Sequence, residues 1–259
     1  MISVLVPSRH RPELAKRLLD TINNTKKNDV EVKFYLNDND PTIETYKKLL
    51  PESVYIIGPD QSTCFSWNYL STLAKHDYCM LVGDDAQFLS KHWDQHIVDF
   101  FENYEHKDKI LYVCPRDMTG SDQRRWEKNK IPTDKPYKVT THPSPIGSAH
   151  FVLHKNWINT VGYFLPPQFW HWHIDNWLTK LAVKVGRAYV LPHAQIQSKK
   201  MIDDPEIHSN NLRMEVVKNS EWVDKVILIN NNLNKILKDT HPDIIVKGSE
   251  FKNTYNQEE

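Results

Sequence analysis

The stretch Tyr78-Cys79-Met80-Leu81-Val82-Gly83-Asp84-Asp85 reads as a short, strongly apolar strand that stops at two adjacent carboxylates. The run lacks polar alternation, as a strand covered on both faces would. Neighbouring carboxylates repel one another and are costly to bury without a cation or hydrogen-bond donors. A hard divalent ion, Mg²⁺ or Mn²⁺, bridging them to a diphosphate would resolve that cost. A solvated turn or a helix N-cap accounts for the dipeptide alone equally well, and its surroundings tip the balance toward the metal.

Those surroundings are strand-then-helix units. Ile2 to Val6 is a buried strand, Pro12 to about Thr25 a helix, and Val30 to Leu36 a second strand. A helix from Asp40-Pro41 to Leu50, a strand Val54 to Ile57 and a helix Ser62 to Lys75 precede the quoted stretch. Helix 90–104 and strand 110–114 follow it. Such alternation predicts a mostly parallel central sheet flanked by helices, with ligands bound beyond the carboxyl ends of the strands. Pro7-Ser8-Arg9, Asn37-Asp38-Asn39-Asp40 and Gly83-Asp84-Asp85 all stand at such ends. Their convergence is the main argument for a single site.

Residues 115–145 read as a charged, proline-containing loop too long for a simple connector, of the kind that is usually functional or mobile. A strand near Ser148 to Leu153, a short helix around Trp157 and the aromatic run Phe169-Trp170-His171-Trp172-His173 come next. A helix from Ile174 to Val185 then leads to a strand Ala188 to Leu191, which ends at Pro192-His193. We expect one domain over 1–195, with a nucleotide half at 1–114 and an acceptor half at 115–195. A helical C-terminal extension over 196–247 is expected from the apolar stripe Val223, Val226, Ile227, Ile229, Leu233 and Leu237, followed by a flexible tail at 248–259.

The 259 residues suit an α/β domain with a small appendage. The 33 basic and 33 acidic side chains balance, so no general attraction to nucleic acid or anionic membrane is expected. No secretory signal or membrane-spanning run is read, and Cys64, Cys79 and Cys114 read as buried free thiols, which together predict a cytoplasmic protein. With seven glycines and no phosphate-cradling glycine motif, a bound nucleotide would need a metal for charge neutralisation.

Beyond the acidic turn, Asp175 opens a predicted helix, where it is either a cap or a general base. His171, His173 and Asp175 alternate and would share a strand face, so zinc ligation enters as a minor alternative. Trp170 and Trp172 suit stacking on a sugar or base, or belong to the core. A lone His193 after a strand is ordinarily structural.

Taken in order, these residues resemble the family-two glycosyltransferases and their GT-A relatives across Ile2 to His193. Ile2-Ser3-Val4-Leu5-Val6-Pro7-Ser8-Arg9 is similar to that family's opening strand and nucleotide loop, and Leu36-Asn37-Asp38-Asn39 to its base-contacting acidic end. Phe65-Ser66-Trp67-Asn68 stands where an Arg-Asn pair is common, with Trp67 replacing the arginine. Gly83-Asp84-Asp85 takes the place of D-x-D, with Gly83 replacing the first aspartate. Gly147-Ser148-Ala149-His150-Phe151 and Val161-Gly162-Tyr163-Phe164 resemble the acceptor-side strand and turn. His173-Ile174-Asp175 replaces the "E-D" motif, and Tyr189-Val190-Leu191-Pro192-His193 resembles the late strand whose histidine completes a metal site.

The resemblance implies a GT-A sandwich and a metal-dependent, inverting transfer from a nucleoside diphosphate sugar, UDP-linked by preference, to a hydroxyl. Asp85 and His193 would hold Mn²⁺ or Mg²⁺. Pro7, Ser8, Arg9, Asp38, Asn68 and Asp84 would hold the donor. Asp175 would be the base, and His150, Trp170, His171 and His173 would meet the acceptor. That acceptor is a saccharide or glycoconjugate, or else a hydroxymethylated DNA base. The DNA reading draws on a basic patch of Arg124, Arg125, Trp126, Lys128, Lys130, Lys199 and Lys200, and on the frequency of such compact proteins in bacteriophages, which would place it in a host cytoplasm. A metal-dependent nucleotidyltransferase and a non-catalytic sugar-binding module are the rival classes.

Overall fold

The computed structural model describes residues 1–140, 150–169 and 174–198. All of them fall within one compact unit, Met1–Lys200. Of the expected helical extension, residues 196–198 are strand rather than helix, and the remainder, with the tail, lies outside the described residues.

The first half follows the expected alternation. Strand β1 (Ile2–Ser8) leads to helix α1 (Pro12–Thr25), whose buried Ala15, Leu18, Leu19 and Ile22 recur at helical spacing and whose proline occupies the first turn. Then come β2 (Val30–Asn37), α2 (Ile43–Leu49), β3 (Tyr55–Gly58), α3 (Thr63–Thr72) and β4 (Tyr78–Leu81). Strand β2 pairs in parallel with both β1 and β3, and β1 with β4. The odd and even residues of β4 enter different cores. Tyr78, Met80 and Val82 join one cluster with Leu18, Tyr46 and Ile97, while Cys79 and Leu81 join the other with Leu70, Trp157 and Leu178. This two-sided burial explains the unbroken apolar run.

A short strand β5 (Ala86–Phe88) follows the acidic turn directly, and α4 (Trp93–Asn103) precedes β6 (Tyr112–Asp117). The sheet then departs from a purely parallel plan. Strand β8 (Phe151–His154) is inserted antiparallel between β4 and β6, giving the order β3-β2-β1-β4-β8-β6-β9-β5. Strand β9 (Ala188–Ser198) runs parallel to β6 and antiparallel to β5. The sheet is therefore mixed, parallel through its amino-terminal strands.

Two expectations are corrected. Residues 115–145 do not form one connection: β6 continues to Asp117, and helix α5 (Gly120–Lys128) and strand β7 (Tyr137–Lys138) follow. Trp126 drives this order, because its indole is 1% exposed and packs into the second cluster. Strand β9 is also far longer than Ala188 to Leu191, since Gln195 to Ser198 pair with β5 and β6. Helices α6 (Lys155–Val161) and α7 (Ile174–Lys184) match the expected positions. Cys64, Cys79 and Cys114 are free and buried.

Asp94 anchors α4 to the turn between α1 and β2. It is 1% exposed and accepts the backbone N–H of Lys27 and Asn28, both at 2.8 Å, and Asn28 Nδ2 at 2.9 Å. We predict that Asp94→Ala costs about 1–3 kcal/mol by stranding these donors. Asp94→Asn should recover part of that loss, as read from urea denaturation midpoints.

Candidate functional site

The acidic turn is built around one buried carboxylate. Asp84 is 6% exposed, and Ser8 Oγ donates to its Oδ2 at 2.7 Å. Arg11 Nη1 lies 3.3 Å from Oδ1. Because the serine proton goes to the carboxylate, Tyr46 must donate its hydroxyl proton to Ser8 Oγ, 2.6 Å away. The Tyr46 oxygen in turn accepts the Arg11 N–H at 3.0 Å. Burial pushes Asp84 up to about 6, with Arg11 and Ser8 opposing the rise and Asp85 adding to it.

Asp85 stands in a different state. It is half-buried, and its backbone carbonyl accepts from Arg17 Nη2 at 2.8 Å. No basic side chain among the described residues is ion-paired with its carboxylate. The carboxylate folds back over Gly83, where a Cβ would stand 2.7 Å from Asp85 Oδ1. A side chain at position 83 would have to displace it, which gives a steric reason for glycine here.

His150 supports the turn from β8. It is 5% exposed, and the Gly83 N–H approaches its Nδ1 at 3.4 Å. With Nδ1 accepting, Nε2 carries the proton and donates to Ser198 Oγ at 2.7 Å. Burial pushes the imidazole down to about 4 against the pull of Asp85, so it is neutral at physiological pH. The Ser198 N–H donates to Asp117, which also accepts from the Thr119 N–H at 2.9 Å. His150 is thus a prop for the Gly83 turn rather than an open acceptor contact.

The polar ends of β1, β2 and β3 are joined by a residue absent from the sequence-based assignment. Asp60, just past β3, accepts Arg9 Nη1 on both oxygens at 2.9 Å, Asn37 Nδ2 at 2.7 Å and Asn39 Nδ2 at 3.1 Å. Burial alone would raise its pKa, but Asn39 and Arg9 outweigh that and hold it low. Gly58 lets β3 approach Tyr35, whose rigid hydroxyl would lie 2.5 Å from a Cβ at that position. Asp38 is exposed beside this cluster, and Pro7 is half-buried where β1 meets β2. The signal for Asp60 was the same polar strand-end pattern that singled out Asp38.

Other predicted residues go elsewhere. Asn68 is a staple: its Nδ2 donates to the Leu165 carbonyl and its Oδ1 accepts the Leu165 N–H, both at 2.9 Å. This engagement fixes α3 to the segment after α6 and withdraws the side chain from a donor. His193 is not brought to Asp85. Strand β9 carries extra residues between Leu191, opposite Pro115, and Gln195, opposite Arg116, so His193 sits exposed in a bulge. Its Nε2 is 3.1 Å from the Asp134 carbonyl and its ring 5.9 Å from that of His96. Ser198, the β9 residue that does reach His150, lies roughly 16 Å further along the strand. Among the described residues, no three His, Cys, Asp or Glu side chains form a metal-holding group.

Asp175 is half-buried in the first turn of α7, and its charge reaches the buried Cys114 thiol of β6. By register, Cys114 stands near Phe151 of β8 and hence near Leu81, at the same sheet end as the acidic turn. Trp170, His171 and His173 lie outside the described residues, as do Trp172, Lys199 and Lys200. The basic patch loses its stacking aromatic, because Trp126 is buried and Arg125 pairs with Asp122 at 3.1 Å. No helix among the described residues is long and apolar enough to cross a membrane.

No family model matches the chain. Abequosyltransferase RfbV of Salmonella typhimurium LT2 is 25% identical over 136 residues, covering 47% of this chain and 38% of that protein. The chain thus spans well under half the length of this curated relative. A mannosyltransferase from Pyrobaculum calidifontis, solved with GDP-Man and Mn²⁺, matches with a TM-score of 0.58 and 13% identity over 77% of this chain and 57% of that one. Staphylococcus aureus TarS 1–349 with UDP-GlcNAc matches with a TM-score of 0.57 and 13% identity, over 86% and 68%. The fold is therefore of the GT-A type.

From the Asn68 geometry, we predict that Asn68→Ala lowers stability by about 1–3 kcal/mol and leaves nucleotide affinity unchanged. Thermal melts with and without nucleoside diphosphates check both parts.

Proposed function

We propose that this chain is a glycosyltransferase that moves a sugar from a nucleoside diphosphate donor to the hydroxyl of a saccharide or glycoconjugate. The observation that carries this reading is the unequal state of two adjacent carboxylates at the end of β4. Asp84 is buried and held by Ser8 and Arg11, whereas Asp85 is half-exposed and, among the described residues, has no cation paired to it. The polar ends of β1, β2 and β3 adjoin that turn through the parallel sheet. The GT-A fold and the sequence relative, itself an abequosyltransferase, support the same class.

In this reading the nucleoside lies over Asp38 and the Arg9–Asp60–Asn37 cluster, with Pro7 and Ser8 lining the approach to the diphosphate. A dianionic diphosphate brought against Asp85 would be repelled without a cation. One carboxylate suits a site in which the ion is completed by substrate phosphates rather than by a protein cage. Asp85 would therefore be the protein ligand. His150 has both ring nitrogens engaged, and His193 lies in its own bulge. A bound Mg²⁺ or Mn²⁺, the latter accompanying GDP-Man in one structural neighbour, supplies charge neutralisation for the departing diphosphate.

Asp84 keeps Ser8 and Arg11 in place and so fixes the loop after β1 relative to the metal turn. Asp175 takes the proton of the acceptor hydroxyl as that oxygen attacks. Direct displacement assisted by such a base inverts the anomeric centre. Since the stacking aromatic of the basic patch is buried, a saccharide hydroxyl is the better acceptor than a DNA base.

Two predictions test this assignment. In wild type, UDP, GDP or CDP at about 100 times its dissociation constant should raise stability by about 2.7 kcal/mol in the presence of Mn²⁺. Asp85→Ala should abolish the Mn²⁺-dependent part while its ligand-free melting temperature stays unchanged; retained stabilisation would remove the metal role. Asp175→Asn should keep donor binding and lose about 10²–10⁴-fold in turnover of the matching sugar nucleotide. Pyrophosphate release from a nucleoside triphosphate, in place of sugar transfer, would overturn the class.

A further inference from the structure

Among the described residues, Arg116 is a cation that makes no ion pair. It lies in β6, two residues beyond Cys114, so strand alternation sends both side chains to one face. That face packs against α5 and α7: Cys114 shares a core cluster with Trp126, Ile174 and Leu178. The Arg116 guanidinium carbon lies 4.5 Å from the centroid of the Trp126 ring. Asp175, through its charge on Cys114, belongs to the same side.

The arginine Nε is buried with no hydrogen-bond partner, and among the described residues Arg116 makes no ion pair. Neighbouring carboxylates are already engaged, Asp122 by Arg125 and Asp117 by the N–H groups of Thr119 and Ser198. A partly buried guanidinium with an unanswered N–H carries a desolvation cost that an oxyanion would relieve. Stacking on a buried indole fixes the guanidinium plane and leaves its in-plane donor edges for a two-oxygen acceptor. A lysine ammonium has no such fork.

The sheet order decides which substrate brings the oxyanion. Nucleoside and diphosphate belong to the ends of β3, β2, β1 and β4. Strand β6 lies on the opposite side of β4, beyond β8, roughly 10 Å away. We propose that Arg116 binds a phosphate or carboxylate carried by the acceptor close to its reacting hydroxyl, making it a specificity-determining residue for anionic saccharides. This rests on the glycosyl-transfer reading above.

The experiment has a binding arm and a kinetic arm. With saturating UDP or GDP and Mg²⁺ filling the donor site, inorganic phosphate and acetate are titrated while tryptophan fluorescence is followed, with Trp126→Phe identifying the responding ring. Phosphate should perturb Trp126 in wild type if the acceptor group is a phosphate, and acetate should do so if it is a carboxylate. Neither should perturb it in Arg116→Gln. In the kinetic arm, glycosides are compared as neutral, phosphorylated and uronic forms. Arg116→Gln should lose about 10–100-fold in kcat/KM for the anionic form alone, the size expected for a charge-assisted hydrogen bond. Donor hydrolysis should stay unchanged, and Arg116→Lys should fall between. No response of Trp126 to either anion, or equal losses on neutral and anionic glycosides, overturns the proposal. Failure of the wild-type protein to bind any sugar nucleotide would instead refute the glycosyl-transfer reading, and the phosphate and acetate titration still reports on Arg116 by itself.

Discussion

The hydrogen bond from Ser8 to Asp84 joins the end of the first strand to the end of the fourth inside the protein. Much of the site depends on it. A carboxylate this deeply buried needs donors, and Ser8 and Arg11 provide them from the loop that follows β1. Tyr46 then ties α2 to the same serine. The consequence is a division of labour: Asp84 is bound by the protein, while Asp85 remains open for a ligand. Its carboxylate lies over Gly83, where the absent side chain leaves room.

On either side of this link the site takes different chemistry. Toward β3, the Asp60 carboxylate gathers Arg9, Asn37 and Asn39 into one polar rim. Toward β6, Arg116 is left with a stacked plane, an unanswered Nε and the nearby charge of Asp175. A rim drawn together by its own hydrogen bonds suits holding a ligand in one pose. An uncompensated cation suits selecting one by charge.

Where the structure places residues differently from the sequence-based expectation, the reasons are identifiable. Asn68 sits at the right place in α3, but pairing with the Leu165 backbone depends on a segment 97 residues away, which no local pattern reveals. His193 takes its expected metal role from the family resemblance, which places it at the end of a late strand. The strand in fact continues through a bulge, and a bulge shifts every later residue relative to its neighbours. Trp126 looked like an exposed partner for Arg124 and Arg125 because flanking charges say nothing about the inward face of a helix. Asp60 was missed although it obeys the strand-end rule, since β3 is short and only partly buried.

The sequence by itself determined the alternating architecture, the two-faced burial of β4 and the gathering of polar residues at strand ends. These follow from local hydrophobic period and chain polarity, which every parallel strand–helix unit must share. Only the tertiary structure decided which of Asp84 and Asp85 is occupied, that His150 rather than His193 stands behind the acidic turn, and that Arg116 makes no ion pair among the described residues. Each of those depends on contacts between residues far apart in the chain, set by strand order, register and a bulge. Local sequence does not encode such contacts.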